Sequence, residues 1–153
     1  IQEEEIDDLQ DALKELHIDG IVSGALRSDY QKSRLERMCH KLGIISWTPL
    51  WHQSPQQHMI DLVDNGFGIM ITGVSTEGMD DSWLGHTISK QSLTKLKQLS
   101  EKYRFNVDGE GGEYETLVLF GPHMDGQLEV EYQSHWDGIR GHIDLSKIDV
   151  VSN

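Results

Sequence analysis

The run Gly109-Glu110-Gly111-Gly112-Glu113-Tyr114-Glu115 sets three carboxylates inside a glycine-rich turn. A phosphate cradle presents backbone N–H groups beside a Lys and a Ser or Thr, and keeps carboxylates away. Glu110, Glu113 and Glu115 would repel a phosphate unless a cation intervened. They suit a metal ion, an amine, or proton transfer by a carboxylate. A tight exposed turn, with Gly supplying positive φ and Glu facing water, accounts for the same residues.

Other segments carry weaker signals. Gly73-Val74-Ser75 follows an apolar run, and Ser23-Gly24-Ala25 follows another. In open parallel sheets, ligands bind at the carboxyl ends of strands. Close packing of small residues explains both segments equally well. Trp83, Tyr114 and Trp136 fall in or beside acid-rich loops. Aromatic rings next to carboxylates can hold an organic cation, although most Trp side chains simply pack. Trp47 and Trp51 are read as packing residues. The histidines show no metal spacing on a helix, with His52 and His58 six apart and His135 and His142 seven apart. Cys39 reads as a small core residue rather than a nucleophile.

These groups need elements to hold them. Ile6, Leu9, Leu13 and Leu16 recur at helical spacing before Asp19-Gly20. Residues 20–26 read as a short buried strand. Ser28 and Gln31 form a capping box for a helix that turns Tyr30, Leu35, Met38 and Leu42 inward and closes at Gly43. Ile44 to Leu50 reads as a strand, so helix, strand, helix, strand predicts a parallel sheet with crossovers. Ser54-Pro55 opens a further helix. Phe67 to Val74, Thr116 to Phe120, Leu128 to Tyr132 and Gly141 to Val151 read as strands, with a helix around Leu93 to Tyr103. The composition breaks near Thr48 to Ser54.

The 153 residues carry 26 acidic and 13 basic side chains, a net charge of −13. Eight acids and no Lys or Arg lie between Asn106 and Asp137. A generic grip on nucleic-acid phosphates is excluded, because Lys and Arg carry that binding. No run of eighteen apolar residues occurs, so no membrane-spanning helix is expected. The single Cys39 fits a reducing compartment, hence a cytoplasmic location.

Gly24-Ala-Leu-Arg-Ser-Asp-Tyr-Gln31, Thr48-Pro-Leu-Trp51, Gly73-Val-Ser75, Ser82-Trp-Leu-Gly85 and Gly109-Glu-Gly-Gly-Glu-Tyr-Glu-Thr116 occur in this order. The succession resembles the diphthine–ammonia ligase family, the ATP-dependent diphthamide synthetases, from about Gly20 to Pro122. The resemblance implies an α/β chain: residues 1–49 as the back half of a Rossmann-like, parallel-sheet adenine-nucleotide α-hydrolase domain, and 50–153 as a smaller α/β substrate domain. It implies ATP with magnesium as its counter-ion, ammonium as co-substrate, and translation elongation factor 2 as partner. The diphthine carboxylate would be activated as an acyl-adenylate, and ammonia would displace AMP. Glu110 and Glu113 are the implied catalytic pair. Gly24, Tyr30, Gln31, Gly73, Ser75, Trp83, Gly111, Gly112 and Tyr114 are the implied nucleotide- or substrate-binding residues, with Trp83 and Tyr114 near the trimethylammonium group. No metal ligands are implied.

The sequence departs from the family in two places. The Ser-Gly-Gly-x-Asp-Ser phosphate loop is absent and the sequence starts at Ile1, so a piece of a longer enzyme, inactive alone, is expected. His86 stands where the family commonly has Arg, and imidazole cannot clamp an anion as guanidinium does. Self-association through exposed sheet is a further expectation. The rival reading is a non-enzymatic acidic α/β module docking a basic protein, since net charge reports partners rather than chemistry. A metal-dependent hydrolase built on Asp80, Asp81, Glu110 and Glu113 is a third.

Overall fold

The computed structural model describes residues 3–152, which divide into two compact units between Gln53 and Ser54. The first unit runs α1 (Glu3–Lys14), β1 (Gly20–Val22), α2 (Asp29–Leu42) and β2 (Ile45–Trp47). The strands pair in parallel, with Gly20 opposite Ile45 and Val22 opposite Trp47, and α2 is the crossover. Gly20 permits this pairing, because a Cβ there would lie 2.7 Å from the Ile45 carbonyl oxygen. The Ser28 hydroxyl accepts the Gln31 N–H at 3.3 Å, and Gly43 closes α2 in the left-handed region at φ 71°. Ile6, Met38 and Cys39 form the buried centre, with Leu13, Ile21, Leu35, Leu42 and Ile44 packed against it.

Several expectations fail in this unit. Only one face of a two-stranded sheet is covered, so β1 is not a buried strand. Ile21 packs inward, while Val22 and Trp47 are 67% and 62% exposed. Trp47 is therefore not a core residue. Tyr30 points outward too, and the Arg34 guanidinium one turn on lies 3.6 Å from its ring centroid. Leu16 falls beyond α1 and is exposed.

The second unit runs α3 (Pro55–Asp64), β3 (Gly68–Val74), a 3-10 turn (Asp81–Trp83), α4 (Lys90–Tyr103), β4 (Tyr114–Phe120), β5 (Gln127–Trp136) and β6 (Gly141–Val151). Its four-stranded sheet has the order β4-β3-β6-β5, and every pairing is antiparallel. The strand-end argument for Gly73 and Ser75 is corrected here, because it holds for open parallel sheets. β3 is buried on both faces, which explains why it reads as a continuous apolar run. It meets β6 only through Gly73 and Val74. Residues 85–88 pair with the preceding stretch, Gly85 N–H donating to Ile71 O at 2.8 Å and Ile88 N–H to Ile69 O at 2.8 Å. Gly85, the last residue of the Ser-Trp-Leu-Gly motif, thus begins a short segment bonded to β3, with an isolated bridge between Met70 and Thr87. Ile69, Ile71, Leu96, Trp83 and Tyr114 belong to one buried cluster.

Candidate functional site

The acidic loop is assembled by its own backbone. Gly109 N–H donates to Asn106 O at 3.0 Å and Gly112 N–H to Gly109 O at 2.9 Å, with Gly109 and Gly112 at φ 72° and 80°. Two successive tight turns of this kind require residues that tolerate positive φ. The Glu113 carboxylate sits inside the second turn. One oxygen accepts both the backbone N–H and the side-chain amide of Asn106 at 2.8 Å, and the other accepts Gly111 N–H at 2.8 Å. Partial burial pushes its pKa up, but the donors from Asn106 and Gly111 outweigh that and hold it below the usual glutamate range. A Cβ on Gly111 would lie 2.7 Å from that carboxylate, so a larger residue there would push the Glu113 side chain away from its donors.

A carboxylate so occupied is a weak base. Glu113, expected to take part in proton transfer, braces the loop through these three bonds. Glu110 is exposed at its rim, and its N–H donates to Asp108 at 3.5 Å. Tyr114 is buried, its hydroxyl donating to Val107 O at 2.6 Å. Burial, with the Asp108 and Glu113 charges nearby, pushes that phenol far up. Trp83 is also buried, and the cation beside its ring is the Lys95 ammonium at 5.2 Å. Neither ring offers an open face to a trimethylammonium group, so the expected aromatic cation site is corrected to packing. Asp80 caps the 3-10 turn, its carboxylate accepting Ser82 N–H at 3.1 Å. Among the described residues, Asp80, Asp81, Glu110 and Glu113 do not come together as a ligand group. The hydrolase reading loses its site.

Ser75 joins the loop to the sheet. Its N–H donates to Glu113 O at 2.8 Å, and its hydroxyl donates to Gly112 O and, at 3.4 Å, to Glu113 O. Gly73, Ser75, Gly111 and Gly112 are therefore brought to one end of the sheet. Gly73 stands opposite Glu115 on β4 and opposite His142 on β6, and His142 stands opposite His135 on β5. Glu115, Gly73, His142 and His135 form one row across the four strands, with a glycine gap in it.

Sequence spacing missed the histidine end of this row. Residues 137–140 form the β5–β6 turn, so positions seven apart become direct cross-strand neighbours. The rings stack with centroids 5.1 Å apart. Both Nε2 atoms approach Asp144, at 3.1 Å from His135 and 3.6 Å from His142. Asp137 braces the turn by accepting the N–H groups of Ile139 and Arg140 at 2.9 and 2.7 Å. These bonds hold its pKa below the usual range.

In the first unit, Ser23 and Thr48 follow the carboxyl ends of the two parallel strands, their hydroxyls 3.5 Å apart. A Cβ on Gly24 would meet no atom within 4 Å, so the space over it is open. Gln31 lies in the first turn of α2, and the Arg34 guanidinium stacks on the exposed ring of Tyr30 beside it. A phosphate grip of the Ser-Gly-Gly-x-Asp-Ser type is not in the sequence.

Residues 54–151 match the model of the diphthamide synthase C-terminal domain, and residues 1–46 that of the diphthamide synthase N-terminal domain. The C-terminal match includes the tail beyond Pro122, where motif resemblance fades. Similar proteins include the diphthine–ammonia ligases of Danio rerio and Homo sapiens, each 36% identical over 124 residues. The match covers 78% of this chain and 48% and 46% of those proteins. The ligase of Schizosaccharomyces pombe is 32% identical over 126 residues, 79% of this chain and 21% of that protein. The chain thus spans about half the length of the vertebrate relatives it matches. On the match over residues 54–151 and these identities, the chain belongs to the diphthamide synthase family.

Proposed function

We propose that this chain serves the ATP-dependent amidation of diphthine to diphthamide on translation elongation factor 2. In that reaction the diphthine carboxylate is adenylated, pyrophosphate leaves, and ammonia displaces AMP. The first unit contributes the adenosine side through Ser23, Gly24, Gln31 and Thr48, and magnesium enters only as the counter-ion of ATP. The phosphate-gripping loop has to be supplied by sequence other than these 153 residues. The protein acts in the cytoplasm, where its reduced Cys39 and its elongation-factor substrate belong.

The second unit handles the amine. Ammonium must be collected and must lose a proton before nitrogen can attack an acyl group. Glu110 faces solvent on a loop whose neighbourhood in sequence, residues 106–137, carries eight acids and no Lys or Arg. Glu110 draws the cation in and its carboxylate accepts the proton that ammonium loses, and Glu113 keeps the loop in shape. Gly73, Ser75, Gly111 and Gly112 leave backbone and a small hydroxyl where the substrate side chain approaches. The observation that carries this reading is the anchoring of the acidic loop to the strand end by Ser75.

The reading is tested by a chimera in which residues 54–153 replace the matching segment of the human ligase. Diphthamide formation on elongation factor 2 by the chimera, slowed in its amidation half by Glu110→Gln with adenylate formation intact, supports it. A folded chimera that binds elongation factor 2 and makes no amide would favour the acidic docking module instead.

A further inference from the structure

We propose that His135, His142 and Asp144 form a binding site for a divalent transition-metal ion of the zinc type. The inference rests on strand geometry and is independent of the ligase reading. His142 and Asp144 are two residues apart on β6 and exposed, while Ile143 between them is buried. Alternation therefore puts the imidazole and the carboxylate on one face. Pairing of β5 with β6 sets His135 opposite His142 on that same face.

The donor atoms converge. One ligand atom from each residue lies within 4.8 Å of the other two. The His135 Nε2–Asp144 Oδ2 separation is 3.1 Å, and the His142 Nε2–Asp144 Oδ1 separation is 3.6 Å. Donors bound tetrahedrally at 2.0–2.2 Å stand roughly 3.4 Å apart. No pair in the set of three is therefore more than about 1.4 Å wider than that separation.

Two imidazoles and one carboxylate select zinc or a neighbouring transition ion over magnesium or calcium, which take oxygen ligands. Three protein ligands leave a coordination position open. Both histidines also line a hollow of about 620 Å³ with Ser75, Trp136 and Arg140, which gives room for water or a small anion on that position.

A plain ion pair explains the arrangement less well. The three side chains are 49%, 62% and 68% exposed, and exposed ion pairs are worth little. Such a pair gives no reason for two stacked imidazoles to aim at a single carboxylate, whereas a shared cation does. The nearby chain is acidic, with Glu115 in the same sheet row beyond Gly73, and this favours a cation. Arg140 is the nearby opposing charge, and it lies on the turn rather than in the row.

Titration of the 153-residue chain with Co²⁺ and Zn²⁺ tests the site, by calorimetry and by the visible absorption of tetrahedral Co²⁺. Saturable binding of one equivalent is expected. Outer-shell partners alone cost about 10–100-fold in metal affinity when lost, so His135→Ala, His142→Ala or Asp144→Asn should each cost no less. All three side chains are exposed, so far-UV circular dichroism should be unchanged in these variants. No saturable binding by the parent chain overturns the proposal. Binding that survives in the His135→Ala/His142→Ala double variant overturns it equally, because the remaining six histidines would then hold the ion.

Discussion

The N–H of Ser75 donates to the carbonyl of Glu113 at 2.8 Å, and its hydroxyl reaches the same oxygen at 3.4 Å. Next to the Val74–Tyr114 strand pair, this residue ties the acidic loop to the end of β3. The backbone bond needs no particular side chain, whereas the hydroxyl bonds to Gly112 and Glu113 do.

Ser75→Ala removes the hydroxyl and keeps the backbone bond. Because Ser75 is exposed, the expected stability loss is about 0.5–1.5 kcal/mol, the net worth of an ordinary hydrogen bond. Urea denaturation should show that loss. Amide exchange at Gly111 and Gly112 should quicken by a larger factor than in the sheet core, since the loop loses its local tie.

Two glycines of the family motifs should respond oppositely to alanine. At Gly73 a Cβ would meet Glu115 Cβ at 3.4 Å and the Gly141 carbonyl oxygen at 3.7 Å, which are ordinary contacts. Gly73→Ala should therefore leave stability unchanged or raise it by roughly 0.5 kcal/mol, as expected for glycine replaced inside a strand. At Gly85 the φ is 78° and a Cβ would lie 1.9 Å from the Tyr132 hydroxyl. Gly85→Ala should cost at least ~1–3 kcal/mol through overpacking and backbone strain. Thermal denaturation of the pair separates them. Placed in the chimera with the human ligase, a Gly73→Ala variant that folds normally but loses activity would mark the gap in the Glu115–His142 row as functional space.

Local signals were legible in the sequence where a residue acts on its own neighbours. Ser28 and Ser54 cap their helices, Gly43 ends one in the left-handed region, and Cys39 is buried as its helical position predicts. What escaped depends on pairing between distant strands. Nothing within residues 67–74 says that β3 takes antiparallel partners, since a strand buried on both faces reads alike in either sheet. The same holds at the site. The three carboxylates of the loop are alike on paper, yet Glu113 turns inward because Asn106 and Gly111 present donors to it, while Glu110 stays outside. His135 and His142 meet only through hairpin register, a spacing that helical templates do not contain.

Tyr114 should matter to stability more than to binding. Its hydroxyl donates to Val107 O at 2.6 Å inside the core. Tyr114→Phe keeps the ring and leaves that carbonyl without its donor, at an expected cost of about 1–3 kcal/mol. A shift in the urea midpoint with an unchanged slope is the expected result. A variant as stable as the parent would mean that the hydroxyl is not the buried partner of Val107.

Glu113 predicts a pH dependence whose sign follows from its lowered pKa. In the folded chain three N–H bonds favour the carboxylate, so its pKa lies below that of the unfolded chain. The stabilisation is therefore complete above the ordinary glutamate value near about 4.3. It falls away as the pH drops from there through the lower folded value, where the carboxyl finally protonates. Glu113→Gln should destabilise the parent fold by roughly 1–3 kcal/mol at neutral pH, since an amide cannot accept all three donors and charged acceptors bond more strongly. The gap between variant and parent should narrow on acidification through that window. Denaturation at a series of pH values measures it. A gap that stays constant into the acid range would show that the Glu113 charge does not hold the loop, and its role would revert to proton transfer beside Glu110.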